Sequence, residues 1–252
     1  MNIGIIGFGY WGTNLVRNFK NIKNCNVTHI AESEVSRHKQ IHELYPDITI
    51  STFDEIIKNS DVDAVVIATH ISSHYELAKA ALENDKHVLV EKPMTSSEKN
   101  AQELIKLSKL KNKILMVDHT YLYSGAVQEI KKSLDANLLG EILYVDSIRA
   151  NLGKFQSDVN VLWDLAPHDI SIINYLINEK PVSVQAFGKS YTKNQLENIA
   201  YLILHYESNK IVHVNCSWIS PIKIRTMIIG GSKKMLVFDD GQQKKIRVYN
   251  KN

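Results

Sequence analysis

Two places in this chain combine residue types that could do chemistry. Asp164 and His168 stand four apart in Trp163-Asp164-Leu165-Ala166-Pro167-His168-Asp169, so on a helix they share one face. Histidine is the usual general base near neutral pH, and a neighbouring carboxylate orients it and supports its charged form. The plainer alternative makes Asp164 only the N-cap of that helix, with Pro167 tolerated in the first turn. The second place is Lys92, in Glu91-Lys92-Pro93 after the apolar run at 87–90. A fixed ammonium could bind a sugar hydroxyl and favour its deprotonation. A surface lysine closing a strand is an equal alternative. A cis Lys92–Pro93 bond would point the lysine inward, although trans is the ordinary state.

Gly7-Phe8-Gly9-Tyr10-Trp11-Gly12 fits G-x-G-x-x-G, a weak pattern that gains force from its surroundings. It follows the first apolar run, opens the first amphipathic segment, and is followed by Glu32 twenty positions after Gly12. The first glycine makes a tight turn, the second admits a pyrophosphate to the backbone, and the third lets helix pack on strand. Glu32 would accept both ribose hydroxyls and repel a 2′-phosphate, which favours NAD over NADP. Ser33, Arg37 and His38 are neighbours that could help hold a phosphate. The alternative is a plain strand-to-helix turn with Glu32 in solvent.

The elements that must position these residues fall into two regimes. Apolar runs at 2–7, 27–31, 64–68, 87–90 and 114–117 alternate with helical patterns at 11–19, 34–44, 53–59, 73–84 and 96–110. Strands apolar on both faces, alternating with helices, imply an α/β doubly wound parallel sheet over residues 1–120, with the ligand crevice at its carboxyl edge. Thr95-Ser96-Ser97-Glu98 carries a helix-start signature. Residues 121–252 read as an α+β substrate-binding and oligomerisation domain. It has helices at 127–134 and 164–177, a strand at 141–151, and strands at 182–188, 200–206, 211–218, 224–229, 235–238 and 246–249 joined by short turns, hence a large, mostly antiparallel sheet. So broad a sheet, with few helices, is expected to pair with a copy of itself as a homodimer or homotetramer.

The chain has 252 residues, and 30 Lys and Arg against 27 Asp and Glu leave a net charge of +3, too balanced for a nucleic-acid binder. Cys25 and Cys216 make no disulfide framework. The sequence shows no leader peptide and no membrane span, and the expected location is the cytoplasm. His38/His42 and His70/His74 have a metal-ligand spacing but lack a third ligand, so helix surface or cofactor contact is the better account and no metal is expected. Tyr121, Tyr123 and Trp218 suit core packing or a stacking platform. Arg149 and Lys154 suit a diphosphate clamp or a strand-surface charge pair.

Taken in order, the Gly7–Gly12 loop, Glu91-Lys92-Pro93 and the Asp164/His168 pair resemble the glucose–fructose oxidoreductase / inositol dehydrogenase (Gfo/Idh/MocA) family of NAD(P)-dependent oxidoreductases. The resemblance covers essentially the whole chain. Residues 145–149 and 163–169 resemble the branch that acts on nucleotide-linked amino sugars. That resemblance implies oxidation at C3 of a UDP-N-acetylamino sugar or its uronic acid, in surface-polysaccharide synthesis. His168 would take the hydroxyl proton, Lys92 would hold the hydroxyl, and Asp164 would orient the sugar or His168. Thr69, His70, His74, Glu91, Lys92 and Trp163 would join Gly7, Phe8, Gly9, Tyr10, Trp11, Gly12 and Glu32 around NAD, with Tyr121 and Arg149 facing the substrate. Three departures stand out: His70 where the family commonly has Pro, Ser124-Gly125 in place of Asn-Pro, and a sequence ending at Asn252, before a further helix and strand. The rival readings are a dehydrogenase of a free polyol such as inositol and a non-enzymatic NAD-sensing regulator on the same fold.

Overall fold

A computed structural model describes residues 1–153, 155–193 and 195–251, so Lys154 lies outside the described residues. The chain divides into two units, Met1–Asp118 and His119–Asn252.

The first unit holds β1 (Asn2–Ile6), α1 (Tyr10–Lys20), β2 (Asn26–Ala31), α2 (His38–Leu44), β3 (Thr49–Ile50), α3 (Phe53–Lys58), β4 (Ala64–Ile67), α4 (Ile71–Glu83), β5 (His87–Glu91), α5 (Glu98–Leu110) and β6 (Leu115–Asp118). Its strands form one parallel sheet in the order β3-β2-β1-β4-β5-β6. Strand β4 explains the continuous aliphatic runs. Val65 and Ile67 pack into one apolar cluster and Ala64 and Val66 into another, so both faces are covered. The helix starts follow their caps: Thr52 and Glu55 form a reciprocal capping box on α3, and Ser97 Oγ accepts from Asn100 N at 3.2 Å on α5. Two details differ from the sequence reading. Residues 34–44 hold a 3-10 turn, Val35–Arg37, before α2, and β3 has two residues, too few to show a period.

The second unit holds α6 (Gly125–Asp135), β7 (Ile142–Leu152), α7 (Val161–Ile177), β8 (Ser183–Lys189), β9 (Ile199–His205), β10 (Ile211–Ser217), β11 (Ile219–Gly231), β12 (Lys234–Asp239) and β13 (Ile246–Asn250). The sheet order is β13-β12-β11-β7-β10-β9-β8. Helices α6 and α7 cover one face, where Val127, Ile130, Ile172 and Ile173 share a core with Val145, Val212, Val214, Met227 and Ile229. One pairing departs from the antiparallel expectation: β7 runs parallel to β10. Parallel neighbours need a long connection, and here α7, β8 and β9 lie between the two in sequence. Among the described residues, no helix is long and apolar enough to cross a membrane.

Candidate functional site

In a parallel sheet all carboxyl ends emerge at one edge, and in the first unit that edge collects the predicted residues. Gly7 sits at φ +91°, and a Cβ there would lie 2.7 Å from the Ala68 carbonyl oxygen, so the turn between β1 and α1 requires glycine. On Gly12 a Cβ would run into the Gly7 carbonyl. Gly9, by contrast, faces open space: a Cβ there would meet only Arg37 Nη1, at 3.6 Å. It is also the N-cap of α1, which has neither a side-chain cap nor an acid in its first turn. A bare, positively polarised helix end beside an unobstructed glycine is what a diphosphate requires.

Glu32 follows β2, with its side chain 6% exposed. Its Oε2 accepts from Phe8 N at 2.7 Å and its Oε1 from Glu34 N at 2.8 Å. Burial alone would raise its pKa, but those amides and Arg37 outweigh it and hold the carboxyl below its usual range. Arg37 lies 3.4 Å from Glu32 and 2.8 Å from Glu34, and His38 Nε2 donates to the Glu32 carbonyl at 2.7 Å. Arg37 and His38, two of the three neighbours that could have held a phosphate, are therefore engaged with Glu32 instead. Phe8 contributes its backbone only, because its ring is buried edge-on against Tyr45. Tyr10 and Trp11 are exposed and contact each other edge-to-face.

At the neighbouring strand ends, Thr69 Oγ1 meets Ser73 Oγ at 2.7 Å, and His70 is the exposed N-cap of α4. His74 is buried rather than on the helix surface. Its ring nitrogens lie 2.9 Å from the Pro93 carbonyl oxygen and 3.2 Å from that of Thr69. It thus ties the loop after β4 to the loop that carries Lys92. The Lys92–Pro93 peptide is cis, and Lys92 N donates to Glu91 Oε2 at 3.2 Å. Glu91 is buried directly across from Asp118 in the β5–β6 register. Burial, then the Asp118 charge, push its pKa up to about 7. Sequence reasoning missed Asp118; its place at the end of the last parallel strand was the available signal.

In the second unit α7 begins earlier than its apolar pattern suggested. Asn160 Oδ1 caps it by accepting from Trp163 N at 3.2 Å, so Asp164 is not the cap and Pro167 falls in the second turn. Asp164 is instead fixed by Trp218, whose buried indole Nε1 donates to its Oδ2 at 3.1 Å. His168 lies one turn further along the same face, and Trp163 is partly exposed in the first turn. Beside Gly153, which Trp218 also approaches, the buried Oδ1 of Asn151 on β7 has no hydrogen-bond partner among the described residues. Strand parity with Val145, Ser147 and Arg149 could have found that residue.

Arg149 needs correction. It is neither a surface charge nor an open clamp: its side chain is 5% exposed, with Nε 2.7 Å from Asp169 Oδ2 and Nη2 3.0 Å from Asp169 Oδ1. Burial opposes the guanidinium charge, and Asp169 more than compensates, lifting Arg149 above its ordinary pKa. Desolvation forces the fork to close on the nearest carboxylate. Tyr121 likewise offers its ring but not its hydroxyl, which is already engaged by protein groups. Both cysteines are free thiols raised in pKa mainly by burial. Among the described residues, no group of three or more His, Cys, Asp or Glu could hold a metal ion.

A family model described as an oxidoreductase family with an NAD-binding Rossmann fold matches residues 1–119. The GFO/IDH/MocA C-terminal domain matches residues 127–237. The chain belongs to this oxidoreductase family. The family includes inositol dehydrogenases and a UDP-N-acetylglucosamine 3-dehydrogenase, and the residues at the first sheet's edge fit its NAD. The chain is 23% identical to 2,7-anhydro-N-acetylneuraminate hydratase of Escherichia coli over 95% of its length and 68% of that relative's. It is 27% identical to the UDP-N-acetylglucosamine 3-dehydrogenase of Acidithiobacillus ferrooxidans, over 75% of this chain and 58% of the relative. A solved structure of a UDP-N-acetylglucosamine 3-dehydrogenase from that organism shares the fold, with a TM-score of 0.87 at 22% identity, covering 100% of this chain and 80% of that one. Curated relatives are matched over between 43% and 69% of their own lengths.

Proposed function

We propose that the chain is a cytoplasmic NAD-dependent dehydrogenase of a sugar hydroxyl, with C3 of a UDP-linked N-acetylamino sugar or its uronic acid as the reacting position. The observation that carries the reading is the Asp164/His168 pair on one face of α7, with Asp164 fixed by Trp218, in a chain whose other unit has a nucleotide-ready glycine turn. When bound, NAD supplies the hydride acceptor. The chain's own residues do the rest. Gly7, Gly9 and the start of α1 cradle the diphosphate, and Glu32 accepts the ribose hydroxyls. Lys92 hydrogen-bonds the substrate hydroxyl and favours its deprotonation, His168 takes the proton, and Asp164 orients the imidazole or the sugar.

A second reading, a free polyol such as an inositol as substrate, is favoured by one observation: Arg149 is committed to Asp169 and is not a ready diphosphate clamp. The sheet face away from α7 shows Tyr144, Phe187, Tyr201, Ile211 and Tyr249 to solvent, which supports a homodimer or homotetramer built on that face. The test is the appearance of reduced-nicotinamide absorbance when protein and NAD meet UDP-amino sugars, their uronic acids and free polyols, with His168→Ala as control. Turnover with one UDP-sugar, lost in a variant that still binds NADH, supports the first reading. Turnover confined to a polyol and indifferent to added UDP favours the second, and silence across the panel overturns both.

A further inference from the structure

Tyr121 lies in the 3-10 turn Thr120–Tyr123, and its hydroxyl is held by groups from three other parts of the second unit. It accepts from Arg149 Nη1 on β7 at 3.3 Å and from Arg225 Nη1 on β11 at 2.9 Å. It donates to Asp240 Oδ2, just past β12, at 3.2 Å. A phenol oxygen has one proton and two lone pairs, so all three of its positions are filled. Asp240 is itself anchored, by Lys245 Nζ at 2.6 Å and Arg225 Nη1 at 3.4 Å. Burial would raise its pKa, but Lys245, Tyr121 and Arg225 hold it below the usual range.

The ring of Tyr121 does something else. It meets the His168 imidazole edge-to-face, with centroids 5.1 Å apart and planes at 69°. An imidazole's outer torsion is broad and lacks sharp staggered wells, so a neighbouring ring bears on where it points. Tyr121 can do so only if it is fixed itself. Arg225 adds little by way of stability: its side chain is 37% exposed, and ion pairs that wet contribute little net energy. Orientation is what remains for it to supply.

We propose that Arg225 and Asp240 are positioning residues for His168, acting through Tyr121: they pin the phenol so that its ring holds the imidazole in one orientation. This rests on the reading of His168 as the base, but it can be measured without substrate. In the full chain, the ring carbon–proton NMR signals of the ten histidines are recorded, and His168 is assigned by its loss in His168→Gln. Arg225→Ala, Asp240→Asn and Tyr121→Phe are each expected to move the His168 signal while leaving the other nine in place, which also reports an intact fold. Arg225→Lys, which keeps a donor for the hydroxyl, is expected to restore at least about half of the displacement. Where Arg225→Ala disturbs the other signals, Tyr121→Phe, which keeps the ring and loses only the hydroxyl, gives the reading. The proposal is overturned if Tyr121→Ala moves the His168 signal but the other variants leave it at the wild-type position, because the ring then needs no pinning. Silence in the dehydrogenase assay would leave this outcome untouched, and failure here would leave the result of that assay standing.

Discussion

Glu32, just past β2, and Arg149, within β7, are both charges kept almost wholly out of solvent, with side chains 6% and 5% exposed. Their partners differ in kind. Glu32 rests on the backbone amides of Phe8 and Glu34, with Arg37 alongside. Arg149 rests on another ionised side chain, Asp169, from a different element twenty residues on. Backbone donors come with the turn itself, so any sequence that makes the turn provides them. A side-chain partner has to be specified separately, and losing it leaves a buried charge with nothing to balance it. The first unit therefore holds its buried acid at the sheet edge with donors that the turn already provides, whereas the second sets opposite charges together in its interior.

The largest effect that could break this contrast is Asp169→Ala, which strands Arg149. It should cost about 3–5 kcal/mol in denaturant unfolding, and a loss below about 1 kcal/mol would mean that Arg149 escapes to solvent. Next comes pH. The folded-state pKa of Glu91, about 7, lies above the ordinary 4.5, so the native state prefers the protonated acid. Stability from this group is present below about pH 4.5 and lost as pH rises through 7, amounting to on the order of 3 kcal/mol at most. Unfolding midpoints measured from pH 5 to 8 should show that slope, and Glu91→Gln should flatten it. A smaller effect belongs to Glu32→Ser, which removes the proposed ribose acceptor and frees Arg37. NADH titration should weaken by about tenfold, roughly 1.4 kcal/mol, with NADPH gaining relative to it. Smallest is Asn160→Ala, which uncaps α7. Thermal unfolding should report a cost of about 1 kcal/mol, comparable to Thr52→Ala at α3 in the other unit.

The same contrast explains what could be read from the sequence. Gly7, Gly9, Gly12 and Glu32 stand at fixed offsets because a local strand–turn–helix sets them, so the pattern survives in one dimension. So does the alternation of buried strands with helices. The partnership of Arg149 with Asp169, and of Tyr121 with Arg225 and Asp240, depends on which strand, helix and turn pack together across the second unit, for which no spacing rule exists. Asp164 resembles a cap in the sequence for a related reason. The true cap, Asn160, precedes the apolar pattern by several residues and is recognised only from its bond to Trp163 N. Asn151 was legible in principle, by counting in twos along β7, because the count puts it on the same face as Arg149.

The central place of β7 in the second sheet also bears on how the chain is made. Its two neighbours, β10 and β11, begin at Ile211 and Ile219, whereas β7 itself is complete at Leu152. A ribosome releasing this chain from its amino end finishes every strand of the first sheet before starting the second, but β7 then waits, edges bare, through some sixty residues before a partner emerges. Within that interval the aliphatic and tyrosine side chains of β7 are the stretch a chaperone would have most reason to hold, and slowing synthesis between residues 152 and 211 should raise aggregation of the nascent chain more than slowing it anywhere before residue 118.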